Sequence, residues 1–127
     1  GSEMCIRDSD MPKTALDVLM FLANNPEFNT AGDVCRYRNI KAALVSFHVE
    51  KLVEAGFVER QAVKGDRRKC RLVCTEKAQP VIKEGRELQK KFAQKLIAGF
   101  SDDDMAHFRK CLHIVSDNID SILKECL

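Results

Sequence analysis

The sequence lacks any apolar run near the ~20 residues that a membrane-spanning helix needs, so a helical span is excluded. It has no internal repeat and no low-complexity tract, which excludes solenoid and linker-like architectures. It also lacks the constellations of catalysis. There is no nucleophile–base pair, no glycine loop fit to cradle a phosphate, and no complete set of metal ligands. No enzyme, cofactor or metal is therefore expected. Excess charge is scarce as well: 21 Lys and Arg against 19 Asp and Glu leave a formal +2. The first apolar stretch, Ala15 to Ala23, lies on an amphipathic pattern with no cleavage site after it, unlike a secretory signal.

What is present suits one globular domain with a modest core: 127 residues, 45% hydrophobic and 31% charged. The six cysteines are scattered, and they read as reduced thiols in a cytoplasmic protein rather than as a disulfide framework. Charge is unevenly placed. Lys64 to Arg71 holds five basic residues against Asp66 alone, whereas Ser101 to Leu127 holds six acids against three bases. One end of the chain is thus suited to a polyanion and the other is not.

Gly1 to Ser9 reads G-S-E-M-C-I-R-D-S, has no periodicity, and joins abruptly to a helical pattern. Codons for this string match a common sequencing adapter. Residues 1–9 are accordingly expected to be a translated adapter on a metagenomic fragment, with a leading stretch of the natural chain lost upstream of Asp10.

Thr14 to Asn24 carries Leu16, Leu19, Met20 and Ala23 on one helical face, and Asn24-Asn25-Pro26 stops it. Thr30 with Asp33 imitates a capping box and predicts a short helix over Ala31 to Tyr37. Asn39 is expected to cap a second helix, Lys41 to Ala55, with Val45, Val49 and Leu52 on its buried face. Leu44 and His48 fall at the edge of that face, His48 as a packed, hydrogen-bonded histidine, and Gly56 follows as the C′ residue. F-V-E-R-Q-A-V then reads as a strand, K-G-D-R as a turn, and K-C-R-L-V-C as the returning strand. On that strand Cys70, Leu72 and Cys74 point one way, which favours packing over thiol chemistry.

Thr75 is expected to cap a long helix running to about Gly99, with a seam of Val81, Gly85, Leu88, Phe92 and Leu96. Ser101 and Asp104 repeat the capping box. The last helix carries Met105, Phe108, Leu112, Val115, Ile119 and Ile122 at alternating spacings of three and four, a heptad seam that wants a partner. Two short helices, a basic-tipped hairpin and two long helices make a mainly α fold with a small β-hairpin wing. The expected organisation is a winged helix-turn-helix lobe over residues 10–75 and a helical dimerisation region over 76–127.

H-V-E-K-L-V-E-A-G-F-V-E-R followed by G-D-R-R-K-C-R-L-V-C-T-E-K-A resembles the MarR family of bacterial transcriptional regulators. Asp66, Arg68, Leu72 and Thr75 fit its wing and helix-opening pattern, while Ala78 and Ala42-Ala43-Leu44 depart from the family's usual residues. The resemblance implies a cytoplasmic homodimer on double-stranded DNA with a pseudo-palindromic operator. It further implies a repressor responsive to a small aromatic or phenolic effector.

On the physics of such a site, a narrow basic hairpin can reach a minor groove, where Arg is favoured. Arg68 is the expected inserting residue, with Asp66 bracing its guanidinium or the turn. Lys64, Arg67 and Lys69 are expected on phosphates, as are Lys41, Arg36 and Arg38. On the exposed face of the second helix, Ser46 and Lys51 can reach base edges or phosphates, and Ala43 or Phe47 can meet thymine methyls. Leu88, Phe92, Met105, Phe108, Leu112, Val115, Ile119 and Ile122 are the expected dimerisation residues. A metal- or thiol-responsive sensor on the same scaffold is the alternative, with His107, Cys111 and Cys126 as its candidates.

Overall fold

The computed structural model describes residues 11–126, and of Arg67 its backbone alone; the adapter expectation for residues 1–9 lies outside the described residues. The elements are α1 (Lys13–Asn24), α2 (Ala31–Arg38), α3 (Ala42–Glu54), β1 (Val58–Val63), β2 (Asp66–Cys74), a 3-10 turn (Glu76–Ala78), α4 (Gln79–Leu96) and α5 (Asp102–Cys126). The mainly α fold with a two-stranded antiparallel wing is therefore present.

Local chemistry explains most of the boundaries. The Thr30 hydroxyl accepts the Asp33 N–H at 3.0 Å, and the Asp33 carboxylate accepts the Thr30 N–H at 3.2 Å, so the capping box starts α2 as expected. Ser101 and Asp104 make the same reciprocal pair at 3.1 and 3.0 Å at the start of α5. Three aspartates then occupy the first turn of α5, where the helix dipole favours them. Gly56 follows α3 with φ +84°, the left-handed conformation in which a side chain is strained.

Two expected caps have other roles. Asn39 does not cap α3: it closes α2 with φ 53°, a conformation that Asn tolerates better than most residues, and Lys41 takes the N-cap position of α3. Thr75 makes no side-chain cap to the helix after it; its hydroxyl donates instead to the Gly56 carbonyl at 2.6 Å. A 3-10 turn intervenes before α4, which ends at Leu96 rather than near Gly99.

The core lies among α1, α2, α3, the hairpin and the start of α4. Leu19, Ile82, Val18, Val34, Val45, Val58 and Val81 are fully buried, and each such side chain contributes about 1.5–3 kcal/mol relative to exposure. Met20 seats its thioether against Gly85 of α4. A Cβ added at Gly85 would run into Met20 Sδ, so this position in the expected seam is a notch. Arg86 ties the same helix to the end of α1, donating to Asn24 Oδ1 at 3.1 Å and to the Ala23 carbonyl at 3.2 Å.

Contacts group the chain into one compact unit through Lys90 and a second from Lys91 onward. The expected boundary at Thr75 falls inside the first unit. In the second, Phe100 packs edge-on to Phe108 at 5.5 Å between centroids. α5 buries none of its residues within the single chain.

Candidate nucleic-acid interface

The candidate surface has two parts, the outer face of α3 and the hairpin that follows it. On α3, Val45, His48, Val49 and Leu52 are buried. That phase turns Lys41, Ala43, Ser46, Phe47, Glu50 and Lys51 outward, all of them exposed. Phe47 is 54% exposed and Leu44 44%, so Leu44 joins the outer face rather than the edge of the core. The Phe47 ring stands edge-on to the buried His48 ring at 5.2 Å. The Lys51 ammonium lies 5.6 Å from the Phe47 ring centroid and 3.6 Å from the Glu54 carboxylate. His48 departs from expectation in one respect. It is packed at 6% exposure, yet its buried Nδ1 has no hydrogen-bond partner among the described residues.

The base of the wing is knitted to the end of α3. Thr75 donates its hydroxyl to Gly56 and its N–H to the Phe57 carbonyl at 3.0 Å, and Lys77 donates to the Ala55 carbonyl at 2.5 Å. The Lys77 ammonium also stands 5.1 Å from the Phe57 ring centroid. These bonds satisfy carbonyls that the end of a helix would otherwise leave open, and they fix the hairpin's departure. On its other side β2 is attached through the Leu72 N–H, which donates to the Asn29 carbonyl at 2.7 Å.

The tip is built by an irregular register. Val58 pairs with Cys74, Arg60 with Leu72, and Ala62 with Cys70, but Val63 pairs with Asp66. Between those last two pairs β2 carries Arg67, Arg68 and Lys69 with no counterpart on β1. A bulge of this kind bends its strand and re-aims its side chains. Gly65 makes the turn with φ +90°. Asp66 Oδ1 accepts the Arg68 N–H at 2.9 Å, so of its two expected roles the observed one is bracing the turn. Lys64, Arg68 and Lys69 are exposed, while the side chain of Arg67 lies outside the described set.

The flanking arginines differ. Arg36 is exposed and lies 5.6 Å over the Tyr37 ring centroid. Arg38 pairs with Asp17 of α1 at 2.6 Å, a bond across 21 residues that joins α2 to α1. Sequence spacing had no means of showing that pairing.

The remaining candidates lie elsewhere. Leu88, Phe92, Phe108, Leu112, Val115, Ile119 and Ile122 are all exposed within one chain, and Met105 is half-buried. Cys70 and Cys74 are half-buried on β2 with Leu72 buried between them, which fits the packing expectation. Burial pushes the Cys74 thiol pKa up, against the opposing pull of the Arg86 guanidinium. Cys111 and Cys126 are exposed, and His107 Nδ1 is 2.8 Å from the Asp103 carbonyl. Among the described residues no three His, Cys, Asp or Glu side chains gather as metal ligands, and no helix is long and apolar enough to cross a membrane.

The model of the MarR family matches residues 9–69, which span α1 through the tip of the wing. No curated protein matches the sequence significantly. Solved structures are similar in fold. The transcriptional regulator PA3341 is 20% identical, with 91% of this chain and 85% of that chain covered and a TM-score of 0.75. FabT of Streptococcus pneumoniae in complex with DNA is 20% identical, with coverages of 91% and 80% and a TM-score of 0.67. The complex of S. aureus MepR with DNA is 14% identical, with coverages of 90% and 83% and a TM-score of 0.66.

Proposed function

We propose that this chain, whose residues 9–69 match the model of the MarR family, is a DNA-binding transcription regulator of that family and a cytoplasmic, ligand-responsive repressor acting as a homodimer on a pseudo-palindromic operator. The observation that carries the reading is the pairing of an outward-facing α3 with a basic bulged finger tied to its end. α3 enters the major groove, where Ser46 and Lys51 reach base edges or phosphates and Ala43 and Phe47 meet the groove floor. The wing enters the adjacent minor groove with Arg68, while Lys64, Arg67 and Lys69 hold phosphates. Lys41 and Arg36 add backbone contacts at the start of α3 and on α2. Arg38 reaches phosphate only by exchanging its Asp17 partner.

A second copy covers the apolar seams. Leu88 and Phe92 of α4, with Met105, Phe108, Leu112, Val115, Ile119 and Ile122 of α5, form the dimer contact. Two α3 helices about 34 Å apart then meet successive turns of one duplex face. The effector is a small aromatic or phenolic compound. A groove of about 240 Å³ between α1 and α4, lined by Leu16, Met20 and Leu88 together with the charged Lys13, Asp17 and Arg38, has room for a single-ring compound. A ligand there would favour one lobe arrangement over another and so couple effector to operator.

The test is fluorescence anisotropy on duplexes enriched from a random library, titrated with salt. Arg68→Ala is expected to weaken binding several-fold and to lower the salt slope by about one. Unchanged affinity and slope would remove Arg68 from the groove.

A further inference from the structure

We infer that α3 reads its half-site chiefly through thymine 5-methyl groups, so that the operator is defined by methyl-bearing pairs rather than by bidentate hydrogen bonds. The inference rests on the DNA-binding reading above and specifies its ligand. Base discrimination in the major groove draws on two chemistries. Forked or paired donors read guanine and adenine edges, and apolar contact reads the thymine methyl. From Lys41 to Glu54 the sequence holds no Arg, Asn or Gln, the residues best suited to forked readout. The outward face instead carries Ala43, Leu44 and Phe47. Phe47 stands four residues from Ala43 and three from Leu44, so it neighbours both on the helix surface.

Two of these, Leu44 and Phe47, are large apolar side chains left 44% and 54% exposed. Phe47 is also held in place, edge-on to His48 at 5.2 Å, with the Lys51 ammonium 5.6 Å from its ring centroid. An apolar patch alone would suit many partners. This one is bordered by Lys41 and Lys51, and β1, which follows α3 directly, leads to the basic wing tip. That charge fits an apolar feature embedded in a polyanion, and the thymine methyl in a major groove is such a feature. Glu50, exposed on the same face, adds an acceptor for the cytosine amino group and opposes close approach to phosphate.

The experiment starts from duplexes enriched by the 127-residue chain and resynthesised with deoxyuridine for thymidine, which removes the methyl and keeps the pairing. Affinity is expected to fall about fourfold per contacted methyl, the factor carried by burying one methylene-sized group. Phe47→Ala is expected to lose a similar factor on the thymidine duplex and nothing further on the deoxyuridine duplex. Phe47→Leu should retain part of the methyl sensitivity, and circular dichroism should be unchanged because the side chain is exposed. Methyl-independent affinity, or equal methyl sensitivity in wild type and Phe47→Ala, would overturn the inference while leaving DNA binding intact. Failure to retain any duplex at low salt would overturn both readings. Unaltered DNA affinity in Phe47→Ala would assign the patch to a protein partner and sink the inference.

Discussion

Residues through Lys90 and residues from Lys91 onward draw on the same device, the amphipathic helix, and reach opposite states of burial. Among the described residues, all fifteen buried hydrophobic ones lie between Ala15 and Ile82. α5 carries apolar residues at equally regular spacing and buries none of them. Phe108, Leu112, Val115, Ile119 and Ile122 are each at least two-fifths exposed. Periodicity therefore specifies which face of a helix seeks cover and says nothing about what covers it. In the first unit, short connections bring α1, α2, α3 and the hairpin over one another. In the second, the seam of α5 stays exposed from Phe108 to Ile122.

The strongest way to break this comparison is to charge the exposed seam. Ile119→Asp is expected to weaken self-association by about 3 kcal/mol or more, over a hundredfold, because a carboxylate would enter a desolvated contact. Sedimentation velocity across a dilution series reads it, and an intact dimer would locate the interface elsewhere. Next comes the covered region. Leu19→Ala is expected to cost the lobe about 2–5 kcal/mol in thermal or denaturant unfolding. A cost below about 1 kcal/mol would mean that the site collapses readily around the missing atoms.

The smallest effects sharpen the contrast, since both units use one capping chemistry. Thr30→Ala and Ser101→Ala should each cost about 1 kcal/mol. The first loss should appear in lobe unfolding and the second in the concentration-dependent transition of the proposed dimer. Both losses appearing in one transition would show that the two units unfold together.

Much of the fold was legible because its signals are local. The Thr30–Asp33 and Ser101–Asp104 boxes, Gly56 and the Gly65 turn each act within a few residues, and each is where spacing placed it. The errors have a common cause. Asn39 suits both ends of a helix, so residue type alone did not decide between capping α3 and closing α2. Thr75 gave up its expected cap for the Gly56 carbonyl, nineteen residues away in sequence. Arg38 was drawn to Asp17, and His48 packed without a partner for Nδ1 among the described residues. The burial of Val45, Val49 and Leu52 turns Phe47 outward, as the spacing predicts. The three unpaired positions in β2 had no sequence signature beyond their charge.

Those three positions have a consequence for how such a finger can change. The regular ladder below them, from Ala62–Cys70 down to Val58–Cys74, does not depend on their number. A deletion or insertion among Arg67, Arg68 and Lys69 would shrink or enlarge the bulge while Cys70, Leu72 and Cys74 kept their inward phase. The molecule thus carries an adjustable bulge on a fixed mount, free to vary in size without refolding what holds it.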